Sequence, residues 1–170
     1  MQAERVFQEQ VALLDAELDS ALGPPARAAV TTYERGLYST RTQTLITLPE
    51  SALPRPWRRA MELPDGPVEF LLDQNLRHGI TGIHFSGFLR PQGAAAALIT
   101  HMGGDESSIR LQGDIGLDTQ SLVLETDRLS GMVDPLQEIT LTLEPIRFTA
   151  DYGSRDERLT TALEWPGLLI

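Results

Sequence analysis

The sequence predicts an α+β fold in which one N-terminal helix packs on a long, twisted, mostly antiparallel β-sheet arranged as a meander. Three observations favour this class. The first 22 residues carry an apolar stripe at helical spacing, and side chains from residue 28 onward alternate with a period of two. Turn signals then recur about every ten residues, without segments long enough for crossover helices between the later strands. We therefore expect a single domain over 1–170, with a helix at 2–22 and the sheet at 28–165.

The N-terminal helix is predicted by five apolar residues that recur every three or four positions. They are Phe7, Val11, Leu14, Leu18 and Leu22. Gly23 is a suitable residue to end the helix, and the two prolines that follow cannot continue it. We expect the stripe to pack on the sheet, which is the usual role of such a face. A partner-binding or dimerisation face is the alternative.

The stretch at 33–48, YERGLYSTRTQTLITL, gives the clearest strand pattern. One side carries Thr40, Thr42, Thr44, Ile46 and Leu48, and the other carries Ser39, Arg41, Gln43, Leu45 and Thr47. This alternation, rich in β-branched residues, is typical of a strand. Gly36 interrupts it, so residues 28–35 and 37–48 form either two strands or one strand with a bend.

Turn and loop signals divide the rest of the chain. Residues 49–67 are rich in proline, and we expect a loop there with one helical turn near 57–61. Further strands are predicted at 68–77, 80–90, 94–102, 108–116, 119–128, 138–150 and 156–165. The tetrapeptide at 90–93 is expected to form the hairpin turn before the strand at 94–102. Pro145 interrupts the strand predicted at 138–150 and indicates an edge position or a bulge.

Charge and composition exclude several classes of function. The chain has 14 basic and 24 acidic residues, a formal net charge of −10. This charge disfavours nucleic acid as the main partner and simple adsorption on anionic membranes. Every basic residue is arginine, and cysteine is absent. Lysine-based covalent chemistry, disulfides and cysteine-ligated metal sites are thereby excluded, and we expect no cofactor.

Two short motifs resemble those of a known family. They comprise Tyr33, Arg35, Gly36, Leu37, Tyr38, Ser39 and Thr40, followed later by His78 and Gly79 at the end of a strand. Together they resemble the YdgA-like family of bacterial envelope proteins of unknown function, over about residues 10–130. Members of that family often have proline after the His-Gly pair, where this chain has Ile80.

The resemblance implies a periplasmic domain cut from a longer protein that an inner-membrane helix anchors. It implies no established activity, and no catalytic residue is carried over from it. The candidate interaction or structural motif consists of Tyr33, Arg35, Gly36, Tyr38, His78 and Gly79.

A second candidate is the basic cluster formed by Arg55, Trp57, Arg58 and Arg59. Such a cluster could bind a phosphate or a lipid headgroup. The alternative is a solvated loop in which these arginines pair with nearby acids such as Glu50.

The three histidines are the residues to consider as metal ligands. His78 and His84 are six residues apart, which places both on one face of a regular strand. If the turn at 90–93 leads into a strand, His101 lies nearly diagonal to His84. Three-histidine sites need a convergent geometry that this spacing does not fix. We therefore predict no metal site and no catalytic residue.

These observations predict a non-enzymatic extracytoplasmic domain that acts through protein assembly or bridging. The expected partner is another copy of the chain or another envelope protein, with no nucleic acid and with membrane contact only through an anchor outside this segment. The alternative function is binding of a lipid or apolar small molecule in a groove of the curved sheet. A sheet with one helix leaves apolar surface that curvature, a ligand or a second copy must cover.

Overall fold

The computed structural model of the chain describes residues 2–134, 139–153 and 157–169. Three α-helices lie in these ranges: α1 (Gln2–Leu22), α2 (Arg55–Ala60) and α3 (Gly93–His101). The strands are β1 (Arg27–Arg35), β2 (Ser39–Leu48), β3 (Val68–His78), β4 (Gly82–Gln92), β5 (Ile109–Gly116), β6 (Thr119–Thr126), β7 (Leu129–Asp134), β8 (Ile139–Leu143), β9 (Arg147–Gly153), β10 (Arg158–Glu164) and β11 (Leu168–Leu169). The predicted α+β class is confirmed.

Eight of these strands form one long sheet. Its order is β1-β2-β3-β4-β5-β6-β9-β10, and each strand is antiparallel to the next. The predicted meander is therefore confirmed, with one excursion between β6 and β9. In that excursion β7 and β8 join β11 in a second sheet of three antiparallel strands.

In the last four strands of the long sheet, the period-two pattern places an apolar row on one face and a charged row on the other, because residues directly opposite each other on paired strands share a face. On the apolar face, β5, β6, β9 and β10 contribute the row Leu111, Leu124, Phe148 and Leu163. On the charged face, the same four strands contribute the row Arg110, Glu125, Arg147 and Glu164. Charges in the second row alternate in sign, which favours the pairing of these strands.

α1 has the predicted bounds and packs against β1. Val11 is buried, and the ring of Phe7 contacts the ring of Tyr33 with their centroids 5.8 Å apart. Two members of the predicted stripe, Leu14 and Leu22, remain exposed. The helix therefore covers the first strand with only part of its apolar surface. None of the helices in the described ranges combines the length and the apolar character needed to cross a bilayer.

The cluster of buried apolar residues lies at one end of the fold, where α3 and the segment after α2 meet the second sheet. It consists of Met61, Leu63, Ile99, Met102, Leu129 and Leu141. The Ser130 N–H donates to the Met102 carbonyl over 2.7 Å and fastens β7 to the end of α3. This end of the molecule has a core to which several elements contribute, whereas in the long sheet buried residues are most frequent on β2 and none lies on β10.

Two strand predictions are wrong. Residues 94–102 are not a strand, because α3 occupies them and β4 continues through the expected turn to Gln92. Four successive alanines follow Gly93, and alanine has the highest helix propensity of all residues. Residues 138–150 are not one strand either, because the chain changes sheets around Pro145 between β8 and β9. β7 was not predicted at all.

Candidate functional site

The two outer strands of the long sheet differ in what covers them. At β1, the Ala28 N–H donates to the carboxylate of Asp15 on α1 over 2.7 Å. The helix thus supplies an acceptor to the strand, while Val11 and Phe7 pack beside it. A helix laid over an outer strand is one of the ways in which proteins protect sheet edges from other chains.

β10 forms the opposite edge, and all seven of its residues are exposed. It pairs with β9 on one side, and no other strand of the described ranges pairs with its outer side. Leu159 and Leu163 point to the apolar face and are 64% and 63% exposed. The edge therefore combines backbone groups that lack a neighbouring strand in the described ranges with large apolar side chains, and this makes it the candidate interaction surface.

A cleft on the charged face of the long sheet has a volume of about 480 Å³. Asp73 accepts hydrogen bonds from Arg41 over 2.9 and 3.2 Å and lies 3.2 Å from the Arg90 guanidinium. The hydrogen bond from Arg41 holds the pKa of Asp73 below its usual range, and it raises the pKa of Arg41. Arg110 pairs with Asp127 over 2.6 Å. The charges that line the cleft are therefore engaged in ion pairs, which is typical of sheet stabilisation.

The structure brings together most of the candidate motif at the ends of two hairpins. The His78 N–H donates to the Tyr38 carbonyl over 2.9 Å, and His78 Nε2 lies 2.9 Å from Thr40 Oγ1. Each tip is closed by its glycine, since Gly36 and Gly79 donate backbone hydrogen bonds across their turns over 2.7 and 2.8 Å. These contacts give the motif a structural role in joining β2 to β3.

The other two residues of the candidate motif lie apart from these contacts. Tyr33 packs against Phe7 under α1, and Arg35 is exposed at the end of β1. The six residues thus do not form one binding site.

Sequence reasoning missed a row of exposed apolar residues at three hairpin tips on one end of the long sheet. They are Leu37 and Tyr38 between β1 and β2, Ile80 between β3 and β4, and Leu117 between β5 and β6. Turns usually favour glycine, asparagine and aspartate. Large apolar residues at such positions were the signal that could have revealed this row.

The basic cluster is not one surface. Arg58 is buried, donates to Glu50 Oε1 and to the Gly66 carbonyl, both over 2.6 Å, and fixes the loop around α2. Arg55, Arg59 and Trp57 remain exposed. Arg58 is therefore not available to a phosphate or headgroup, whereas its two neighbours are.

The three histidines are separate. His84 Nδ1 lies 3.0 Å from Asp114 on β5, whereas His101 Nε2 lies 2.6 Å from the Met132 carbonyl next to the second sheet. The expected diagonal arrangement of His101 and His84 is wrong, because His101 ends a helix and not a strand. In the described ranges, no group of three or more histidine, aspartate or glutamate side chains could hold a metal ion.

Comparisons of the chain with models of protein families, with curated protein sequences and with solved structures yield no match.

Proposed function

We propose that this chain is a non-enzymatic assembly module that accepts a strand of another polypeptide at β10. The observation that carries the proposal is the asymmetry of the long sheet, whose first edge is covered by α1 and whose last edge is bare. Strand addition at a sheet edge is a common mode of polypeptide recognition, in which backbone hydrogen bonds give affinity and side-chain contacts give specificity. The envelope setting of this module rests on the resemblance of the candidate motif to the YdgA-like family.

Two features of β10 support strand addition over other uses of the surface. Its two leucines share one face with Thr161 and its two charged residues share the other, so an added strand could extend both faces of the sheet. Neither of its terminal charges, Arg158 and Glu164, interrupts the apolar side, because both point to the charged face.

Binding of a lipid or apolar molecule in a groove has less support. The cleft of about 480 Å³ lies on the charged face, where Phe88, Leu111 and Val123 line it together with the ion-paired Arg41, Asp73 and Arg90. Pockets for apolar ligands are lined mainly by hydrophobic and aromatic side chains. Catalysis is also poorly supported by this cleft, because these ionisable groups are held in ion pairs.

Site-specific photo-crosslinking in the cells that make the protein tests the proposal. A benzophenone amino acid replaces Leu159 on β10, and the same amino acid replaces Leu13 on α1 as the matched control. The two leucines are almost equally exposed, at 64% and 61%. We expect a discrete polypeptide adduct at position 159 and none at position 13.

The adduct must also depend on the edge itself. Leu163→Lys places a charge on the same apolar side of β10, a known device against edge pairing, and should remove the adduct at position 159. Equal adducts at both positions, or no polypeptide adduct at position 159, would contradict the proposed function.

A further inference from the structure

We infer that the strand added to β10 is β10 of a second copy, antiparallel and related by a two-fold axis through Thr161. This inference rests on the proposed function and names its partner. In this arrangement two long sheets of eight strands become one continuous sheet of sixteen. The contact is isologous, because each copy uses the same strand in the same way.

The sequence of β10, RLTTALE, is complementary to its own reverse. With Thr161 opposite Thr161 of the second copy, Arg158 lies opposite Glu164 and Leu159 lies opposite Leu163. Each pairing occurs twice, once on either side of the axis. Opposite charges and apolar pairs in directly opposed positions both stabilise antiparallel strands. The pairing of the two charges and of the two leucines thus favours a second copy of this strand as the occupant of the edge.

The register also preserves the two faces of the sheet. Leu159, Thr161 and Leu163 share the apolar face with Phe148 and Leu124, through the pairing of β10 with β9 and of β9 with β6. In the dimer this apolar face continues across the axis without a break. A slip of one residue would oppose the leucines to residues of the charged face and would invert the faces.

A shift of the pairing by two residues keeps every side chain on its face of the sheet, but it loses the pairing of opposite charges and of leucines. If Thr160 lay opposite itself, Arg158 would face Ala162 and Glu164 would extend past the partner strand. If Ala162 lay opposite itself, Glu164 would face Thr160 and Arg158 would be left without a partner strand. The register centred on Thr161 is the one in which both charges and both leucines are paired.

The covered edge explains why assembly stops at two copies. A bare edge at each end of the sheet would allow head-to-tail addition and growth into filaments. Here α1 covers the edge at β1, and its Asp15 carboxylate accepts a hydrogen bond from the Ala28 N–H. Among the outer strands of the long sheet, β10 can therefore pair only with another β10. Once the two β10 strands are paired, neither long sheet has an open edge left for a third copy.

The contact is small, and this sets the concentrations for the test. Seven residues of one strand on each side bury much less than the roughly 1,600 Å² of a standard interface. We therefore expect a weak, reversible dimer. Sedimentation velocity over a wide concentration series, up to the solubility limit of the protein, tests for it.

Charge exchange tests the register. Arg158→Glu places two like-charge pairs in the dimer, since the new carboxylate at position 158 faces Glu164 on both sides of the axis, and should weaken association about tenfold or more. Glu164→Arg should weaken it similarly. The double variant Arg158→Glu/Glu164→Arg restores opposite charges at both sites and should return the dissociation constant to near that of the unmodified chain. Arg158→Glu is the cleaner single change, because Glu164 also faces Arg147 within the same chain.

A disulfide between the two copies tests the position of the two-fold axis. Opposed residues of antiparallel strands have Cα atoms about 4.5–5.5 Å apart, within the reach of a disulfide. The chain has no cysteine, so Thr161→Cys can form only the bond between copies. Under mild oxidation Thr161→Cys should form a covalent dimer. The control Thr160→Cys should form it much more slowly, because that residue lies diagonal to its own copy at about 7–8 Å.

The two experiments separate the inference from the proposed function. Dimerisation with charge rescue and preferential bonding at Thr161 supports the inference. A dimer that the charge exchange does not rescue, or equal bonding at both cysteine positions, overturns the register and with it the inference. A chain that stays monomeric at all concentrations also overturns the inference. The proposed function survives that last result if position 159 crosslinks to a different polypeptide in cells, and it fails if no polypeptide adduct forms.

Discussion

The first and last strands of the long sheet have the same backbone chemistry and opposite surroundings. β1 lies under a helix of 21 residues, which buries Val11 and supplies the Asp15 carboxylate to a strand amide. β10 has no such cover among the described residues, and its apolar residues Leu159 and Leu163 are exposed to solvent. The contrast indicates that edge protection in this fold is selective, and it is the basis of our proposal that β10 binds another strand.

This contrast also matches the fold's uneven core. The buried apolar cluster with Leu129 and Leu141 packs helices against the second sheet. The threonines of β2, Thr42 and Thr44, are fully buried near the covered edge. Burial then decreases across β6 and β9 to β10, where no residue is buried. A second copy would bury apolar surface in the part of the long sheet where the single chain buries least.

The largest effect is expected from uncovering β1. Val11→Asp places a charge in the contact between α1 and the strand, and burial of a charge should lower the free energy of unfolding by about 2–4 kcal/mol. Detachment of α1 would also leave two bare edges. We therefore expect Val11→Asp to form particles larger than a dimer, measured by light scattering, together with a lower urea midpoint.

Leu13→Asp is the matched control, because Leu13 lies on the same helix and is exposed. It should change neither the urea midpoint nor the particle size. If both variants remain no larger than dimers, α1 does not limit assembly. The comparison of the two edges would then have no functional meaning.

A smaller effect is expected from a change between the two edges. Asp73 links β2, β3 and β4 through Arg41 and Arg90. Asp73→Asn removes the carboxylate charge and should lower the free energy of unfolding by about 1–3 kcal/mol at pH 7. Association through β10 should be unchanged at that pH, because neither edge is touched.

The pH dependence of this effect has a definite sign. The hydrogen bond from Arg41 lowers the pKa of Asp73 in the folded state below its value in the unfolded chain. Its contribution is therefore fully present above the ordinary aspartate pKa of about 3.9 and is lost as the pH falls through the lower folded-state pKa. The stability difference between the unmodified chain and Asp73→Asn should shrink in acid, as measured by urea unfolding from pH 7 to about pH 2. A difference that stays constant or grows would contradict this role for Asp73.

Local structure could be predicted from the sequence, whereas the neighbours of each strand could not. The stripe through Phe7 and Val11 predicted α1 to the residue, and the alternation after Gly36 predicted β2 and the side shared by its threonines, although not that this side is buried. The prediction missed α3 because a short apolar run after a strand also fits another strand, although the helix propensity of its alanines indicated otherwise.

The candidate site could not be predicted in full, because it depends on strand order. The sequence leads us to expect contact with another copy through the helix stripe or an open strand edge, but period two says nothing about which strand is outermost. β10 is an edge because the chain leaves the long sheet after Thr126 and returns at Arg147, which places β9 beside β6. Pro145 marks that return, yet its pattern is equally typical of a bulge. The opposite charges at the two ends of β10 can be seen in the sequence, but they indicate self-pairing only once β10 is known to be an open edge.

Hydrogen exchange at the two edges tests the central claim most directly. Amides of β10 that point away from β9 should exchange quickly in dilute protein, because no strand of the described ranges pairs with them. As the protein concentration is raised into the range in which the dimer forms, exchange in residues 158–164 should slow, while exchange in residues 27–35 of the covered edge stays constant. Exchange in 158–164 that is independent of concentration, or slowing that occurs at 27–35 instead, would contradict the account.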